Sequence, residues 1–271
     1  MIITVRNANN TYRATTKGSK LAATNTAGPR QAAEVLARKL GIDPALLCEE
    51  SSAQFITTFT HPGTETQHMN ESTQTIPTTP GEAFEGGFYA GRFMLDGAEY
   101  ALIVSPKAEG ELEEAVWGER RKDIPGATSC NDGLTNTRAM AEAGSDLARW
   151  MLALDINGFT DWYLPSRDEL ELCYRNLKPT IQTNYTSFRD GDNPSSLPAG
   201  YPYTSSSPTQ TSTEGFKGDA QEAFVGAWYW ASTQDSPNDA WIQTFADGYQ
   251  ITSDKVSALR DRAVRRFKVT P

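Results

Sequence analysis

The sequence predicts an α+β protein in two unequal parts, and three observations carry that expectation. Short runs of alternating polarity near both ends read as strands. Between them, segments around 135–154 and 165–177 repeat apolar residues at helical spacing. From His61 to Pro80 the chain is dominated by Thr, Gln, Pro, Ser and Glu without periodicity, which reads as a linker. The expected organisation is a small strand-and-helix module over 1–60, a linker over 61–82 and a larger domain over 83–271.

In the module, "IITVRN" and "LAATNT" alternate as strands, with turn residues Asn9, Asn10, Gly18 and Ser19 around them. "GPRQAAEVLARKLG" predicts a helix whose apolar face is Ala33, Leu36, Ala37 and Leu40. Pro29 suits its first turn, Lys39 its last and Gly41 its C-terminal cap. "IDPALL" reads as a short second helix.

The larger domain opens with an aromatic hairpin, "GGFYAGRFMLDGAEYALIVSP", turning at Asp96-Gly97. "NTRAMAEAGSDLARWMLAL" predicts one long helix, with Met140, Ala143, Leu147, Trp150, Met151 and Leu154 at helical spacing. Ser166 and Glu169 form the S-x-x-E capping pattern of a second helix. Its stripe of Leu170, Cys173, Tyr174 and Leu177 reads as core, with Cys173 a buried small hydrophobe. From Asn184 to about Gly218 runs a long irregular insertion rich in Ser, Thr, Pro and Gly, ordered by Tyr201, Tyr203 and the prolines. Such insertions are functional or mobile. "AWYWAST" then begins a set of short strands that reaches the C-terminus.

Composition narrows the function classes. Among 271 residues the formal net charge is −9, which argues against non-specific nucleic-acid binding, since that affinity comes from positive charge set against phosphates. The three cysteines, Cys48, Cys130 and Cys173, lack C-x-x-C spacing, so neither a disulfide framework nor a structural zinc site is expected. No apolar run is long enough to span a bilayer or to serve as a secretory signal. Synthesis and retention in a reducing cytoplasm, without membrane insertion, is the expectation.

Catalytic chemistry is weakly supported. The only histidines, His61 and His68, lie in the linker, and no P-loop, dinucleotide, G-x-S-x-G or H-E-x-x-H pattern occurs. Asp161, Asp168 and Glu169 could form an acid/base set, yet helix capping and surface solvation explain them as well. Arg260, Arg262, Arg265 and Arg266 could suggest nucleic acid. Asp247, Asp254 and Asp261 interrupt that basic run, and arginines paired with neighbouring acids are the simpler reading. No catalytic residue, metal site or cofactor is expected.

The tail from Trp241 to Phe267 is unusual: aromatic residues, glycine and arginines stand at regular posts, with side chains of no shared chemistry between them. "NGFTDWYLPSRDELELCYRNL", "YWASTQDSPNDAWIQTFADG" and "RDRAVRRF", with the spacing G-x-Q-x-x-x-x-K-x-x-x-x-R-x-R-A-V-R-R-F, resemble the variable proteins of diversity-generating retroelements. The resemblance covers the chain from about Phe88 onward. In those bacterial and phage systems an error-prone reverse transcriptase rewrites the end of a gene at template adenines. A related domain closes bacterial collagen-like adhesins.

The resemblance implies a C-type lectin fold with two helices and short antiparallel strands, and a ligand-binding region over about 229–267. Trp230, Trp241, Phe245, Gly248, Val264 and Phe267 would be scaffold, with Gln243, Gln250 and Lys255 as framework polar groups. The variable surface would be Ile242, Thr244, Ala246, Asp247, Tyr249, Ile251, Thr252, Ser253, Asp254, Val256, Ser257, Ala258, Leu259 and Asp261, joined by Asp235, Asn238 and Asp239. Tyr249 has the amphipathic area of an anchor. Ile251, Val256 and Leu259 suit a contact patch, while facing the core stays open as the alternative. None of the fourteen main positions holds Lys, Gln, Glu, Met or Trp, the residues that adenine mutation of an AAC or AAT codon cannot produce.

The implied partner is a protein or cell-surface ligand bound without catalysis, with the N-terminal module docking to a larger particle such as a virion. "SPND" only faintly echoes the E-P-N or Q-P-D of calcium-dependent sugar binding, and no W-N-D occurs. Two alternatives remain open: an undiversified adhesin-like domain with one fixed ligand, and an enzyme of the formylglycine-generating type. The second lacks cysteines after Cys173, where that activity places them.

Overall fold

The computed structural model describes residues 2–8, 11–16, 21–40, 44, 47–53, 56–60, 75–187 and 189–269. The chain divides into two compact units, Met1–Thr75 and Ile76–Pro271. Most of the expected linker, 61–74, lies outside the described residues, as do Gly41 and most of the expected second short helix.

In the first unit the elements are β1 (Ile2–Ala8), β2 (Thr11–Thr16), β3 (Ala22–Asn25), α1 (Pro29–Lys39), β4 (Cys48–Ala53) and β5 (Ile56–Thr60). They form an antiparallel sheet of order β3-β2-β1-β5-β4. Ala32, Ala33, Leu36 and Ala37 of α1 are fully buried, in one cluster with Ile3, Val5 and Phe59. Alternation along β1 sends Ile3 and Val5 inward and leaves Ile2 and Arg6 exposed. The sequence pattern marks only two of these five strands. Thr11–Thr16 and Cys48–Ala53 are built from polar residues with too little apolar alternation to stand out.

In the second unit the order is β6 (Ala83–Phe84), β7 (Gly87–Leu95), β8 (Ala98–Val104), α2 (Lys107–Gly110), β9 (Glu111–Val116), α3 (Gly133–Glu142), α4 (Asp146–Leu152), α5 (Arg167–Leu177), β10 (Ser196–Leu197), β11 (Trp228–Gln234), β12 (Asp239–Thr244), β13 (Gln250–Asp254), β14 (Ala258–Arg262) and β15 (Val264–Lys268). The architecture is mixed α+β. One sheet runs β10-β7-β8-β15, with β6 paired to β7, and the hairpin of β7 and β8 turns at Asp96-Gly97. The other runs β13-β12-β11-β14-β9 and is antiparallel except where Tyr229 of β11 meets Arg260 of β14.

Tryptophans tie this second sheet together. Trp117, just beyond β9, is fully buried and donates its indole N–H to Ala231 O at 2.8 Å, while Trp230 of β11 donates to Ala115 O of β9 at 2.9 Å. Burying one indole contributes roughly 4–6 kcal/mol before entropy is charged against it, and the two N–H bonds remove the penalty of burying its polar atom. Trp117 and Trp230 lie in a core with Met140, Met151, Trp162 and Ile242. A second core gathers Leu170, Tyr174, Tyr229, Phe245 and Val264.

The single long helix expected over 135–154 is two helices. Gly144 takes a left-handed φ of +102°, and the Ser145 hydroxyl then accepts from Ala148 N–H, starting α4 afresh. The α5 cap forms as its pattern implies: Ser166 Oγ accepts from Glu169 N–H, and Glu169 Oε2 accepts from Ser166 N–H at 2.8 Å. Glu169 is not at the surface, though. It is buried, and also accepts from Tyr163 Oη at 2.6 Å and Gly133 N–H at 3.0 Å. Burial raises its carboxyl above the usual range against the pull of those donors.

The tail arginines are structural, and their acids come from far along the chain. Arg260 and Arg262 meet Glu111, Arg262 also meets Glu222, Arg265 meets Asp161, and Arg266 meets Asp132. The insertion is ordered by buried polar groups more than by its prolines. Asn184 accepts from Tyr174 Oη and Lys178 Nζ and donates to Thr204 O and Pro208 O. Tyr203 is buried and donates to Glu171 at 2.8 Å, whereas the Tyr201 residue is 77% exposed and is engaged through its carbonyl, which accepts from Arg175 at 2.9 Å.

Candidate ligand-binding groove

The β12–β13 hairpin sits at the sheet edge with a fixed register: Asp239 faces Asp254, Trp241 faces Thr252 and Gln243 faces Gln250. Opposed residues share a face, so Trp241 and Thr252 point one way while Ile242 and Ile251 point the other. Because β13 is the edge strand, neither of its faces is deeply covered.

Framework residues hold the hairpin at both ends. At the turn, Gly248 adopts a left-handed φ of +84° against the Tyr174 ring. Buried Gln243 donates to Gly248 O at 3.2 Å and Tyr203 Oη at 3.1 Å. At the other end Lys255 is fully buried. Its ammonium donates to Gln234 Oε1 (2.6 Å), Lys122 O (2.9 Å) and Pro237 O (3.2 Å), and lies 4.7 Å from the Trp117 ring centre. Burial pushes its pKa down to about 8. Trp230, Phe245 and Val264 are buried core. Trp241 and Phe267 are half-buried.

Between these posts the burial is mixed. Ile251, Val256, Ala258, Asp235 and Asn238 are exposed. Ala246, Asp247, Tyr249, Thr252, Ser253, Asp254, Ser257, Leu259 and Asp239 are half-buried. Three expected surface residues are not at the surface. Ile242 faces the core because the register of β12 puts it beside Trp230. Thr244 is buried at the strand end, where its hydroxyl accepts from Ala246 N–H. Asp261 is fully buried because β14 is an inner strand between β11 and β9. Among the described residues neither carboxylate oxygen of Asp261 has a hydrogen-bond partner in good geometry, and burial raises its pKa well above its ordinary value against a weaker opposing pull from the Leu112 backbone.

The remaining positions do not all meet. Asp235, Tyr249, Ile251 and Thr252 line one groove of about 390 Å³. Asp254, Val256 and Ser257 form the β13–β14 turn, where Arg120 pairs with Asp254 and Ser253 Oγ donates to Ser257 Oγ at 3.2 Å. Ala258 and Leu259 lie further along, opposite Val116 and Ala115 of β9, and Leu259 packs on the core.

The insertion supplies the other wall of the groove. Tyr185 N–H donates to Asp247 O at 2.8 Å, and Asp190 Oδ1 accepts from Gln250 N–H at 3.0 Å, so the insertion is pinned to both ends of the hairpin turn. The rings of Tyr185 and Tyr249 lie 4.1 Å apart, and Trp228 meets Tyr249 edge-on at 6.0 Å. Two guanidinium groups approach Trp241, Arg189 at 4.7 Å and Arg167 at 5.5 Å from its ring centre. Sequence reasoning placed Trp241 in the scaffold and overlooked Arg167, Tyr185, Arg189 and Asp190. The only available signal was the length of the insertion, which says nothing about which of its residues turn toward β13.

Among the described residues no group of three or more His, Cys, Asp or Glu could hold a metal ion. Among the described residues no helix is long and apolar enough to cross a membrane. Cys173 is buried, while Cys48 and Cys130 are exposed. The chain matches no protein-family profile and no characterised protein with which it was compared.

Proposed function

We propose that the second unit is a C-type-lectin-fold binding domain whose tail is diversified by a retroelement, so that side chains on a fixed hairpin recognise varied ligands without catalysis. One observation carries the reading: framework and variable positions differ in burial. Six of the nine framework positions, Trp230, Gln243, Phe245, Gly248, Lys255 and Val264, are buried and Trp241, Gln250 and Phe267 are half-buried, whereas eleven of the fourteen expected variable positions keep solvent exposure. A side chain that packs little can change with small effect on stability, while the hairpin stays anchored through Gly248 and Lys255. Tyr249 and Ile251, at the groove, offer aromatic and aliphatic contact area.

The ligand is a protein or cell-surface component, and the first unit docks the chain to a larger particle, with display on a virion as the setting. Sequencing the 3′ end of the gene across a population tests this. Differences confined to codons of the variable positions, beside a near-copy of that end and a reverse-transcriptase gene, are expected. Codons ending in purines at those positions, or differences scattered over the whole chain, would overturn diversification.

A further inference from the structure

The two arginines at the groove are not equivalent. Arg167 is ion-paired to Asp168 at 2.9 Å and also donates to Asp192 O at 3.3 Å. Arg189, exposed, has no carboxylate partner among the described residues, and its guanidinium lies against Trp241. The neighbouring Asp190 is already engaged, accepting from Gln250 N–H through Oδ1 and from Ser187 Oγ through Oδ2. A guanidinium held on an indole keeps its in-plane N–H edge available for two-point contact with a carboxylate. Holding it there in advance lowers the entropy lost on binding.

The geometry points to a carboxylate subsite at Arg189 and Trp241, filled by an acidic side chain of a protein ligand. The inference rests on the groove being the binding face and adds its chemistry. Its volume of about 390 Å³ accommodates one or two side chains, and the Tyr185–Tyr249 pair, its rings tilted by 40°, supplies aromatic surface on the same lining as Arg189. Asp235, exposed and without an ion pair among the described residues, sits on the same lining and disfavours a second negative charge. The ligand segment therefore carries one carboxylate, with neutral or donor groups around it. Arg167, Tyr185, Arg189 and Trp241 fall outside the variable positions, so the preference for a carboxylate at Arg189 persists when Tyr249, Ile251 and Thr252 change, whereas the limit to one carboxylate holds while Asp235 is present.

The test uses the full chain and NMR titration, reading the Trp241 indole and arginine side-chain N–H signals. The probes are the blocked peptide Ac-Tyr-Glu-Gly-NH2, its Gln counterpart, and the free acid 4-hydroxyphenylacetate with its amide. Saturable binding of the Glu peptide, about tenfold or more tighter than the Gln peptide, is expected from a two-point charged contact. Arg189→Gln should erase that preference, Arg189→Lys should keep part of it, and neither should shift the melting temperature, since the side chain is exposed. Equal binding of the Glu and Gln peptides, or saturation by neither, overturns the subsite while leaving the variable face intact. A free acid binding as tightly as the peptide overturns the assignment to a protein ligand.

Discussion

Replacing Gly248 with alanine probes whether the hairpin turn is fixed by its contacts. The glycine φ of +84° lies in the left-handed region, which costs an L-residue roughly 1–2 kcal/mol. A Cβ built there would stand 2.4 and 2.7 Å from two ring atoms of Tyr174 and 2.9 Å from Tyr203. Neither ring can simply swing away. Tyr174 is tied by its hydroxyl to Asn184 and packs on Phe245 at 5.6 Å, and Tyr203 is tied to Glu171. Forcing a methyl group into such packing costs about 1–3 kcal/mol, so the total is on the order of 2–5 kcal/mol. Urea unfolding followed by tryptophan fluorescence gives the number directly. A loss below about 1 kcal/mol would refute the idea that this turn is rigidly seated, because the strain term alone exceeds it.

Two further substitutions test buried groups. Asp261→Ala should leave stability unchanged or raise it by about 1–3 kcal/mol at pH 7, because it removes a buried carboxyl whose oxygens are poorly satisfied. Its folded pKa lies above its unfolded value, so the acid's disadvantage against alanine is absent at low pH and grows as pH rises from the unfolded pKa. A destabilised variant at pH 7 in thermal melts would show that Asp261 has a partner. Glu169→Gln should cost about 2–4 kcal/mol in urea melts, since an amide cannot accept from Tyr163, Ser166 and Gly133 together without turning a donor on one of them. A change under about 1 kcal/mol would argue that the cap is incidental.

How legible the fold was depended on where its information lies. The α5 cap and the α1 face were readable because Ser166, Glu169, Ala33, Leu36 and Ala37 act within a few residues of one another. The α3–α4 break was written in Gly144-Ser145, but the apolar spacing runs straight across it and conceals it. Strands such as Thr11–Thr16 were invisible because their partners, not their own pattern, make them strands. At the groove, Gly248 and Lys255 could be named from the family resemblance, whereas Arg189 could not. Its position over Trp241 depends on a fold-back of the insertion that Asp190 and Tyr185 fix through backbone groups of the hairpin. Asp261 misled for a similar reason: being on an inner strand is a property of the sheet order, which no local period encodes.

The most direct test of the division between frame and variable side chains is a pooled library. Tyr249, Ile251, Thr252, Ser253, Val256 and Ser257 would be randomised together while Gln243, Phe245, Gly248 and Lys255 are kept, and the folded fraction read by protease resistance and deep sequencing. Most members are expected to stay as resistant as the parent, since exposed or half-buried positions each shift stability by only about 0.5 kcal/mol. Widespread loss of resistance, comparable to that of a parallel library at Gln243 and Lys255, would contradict the account.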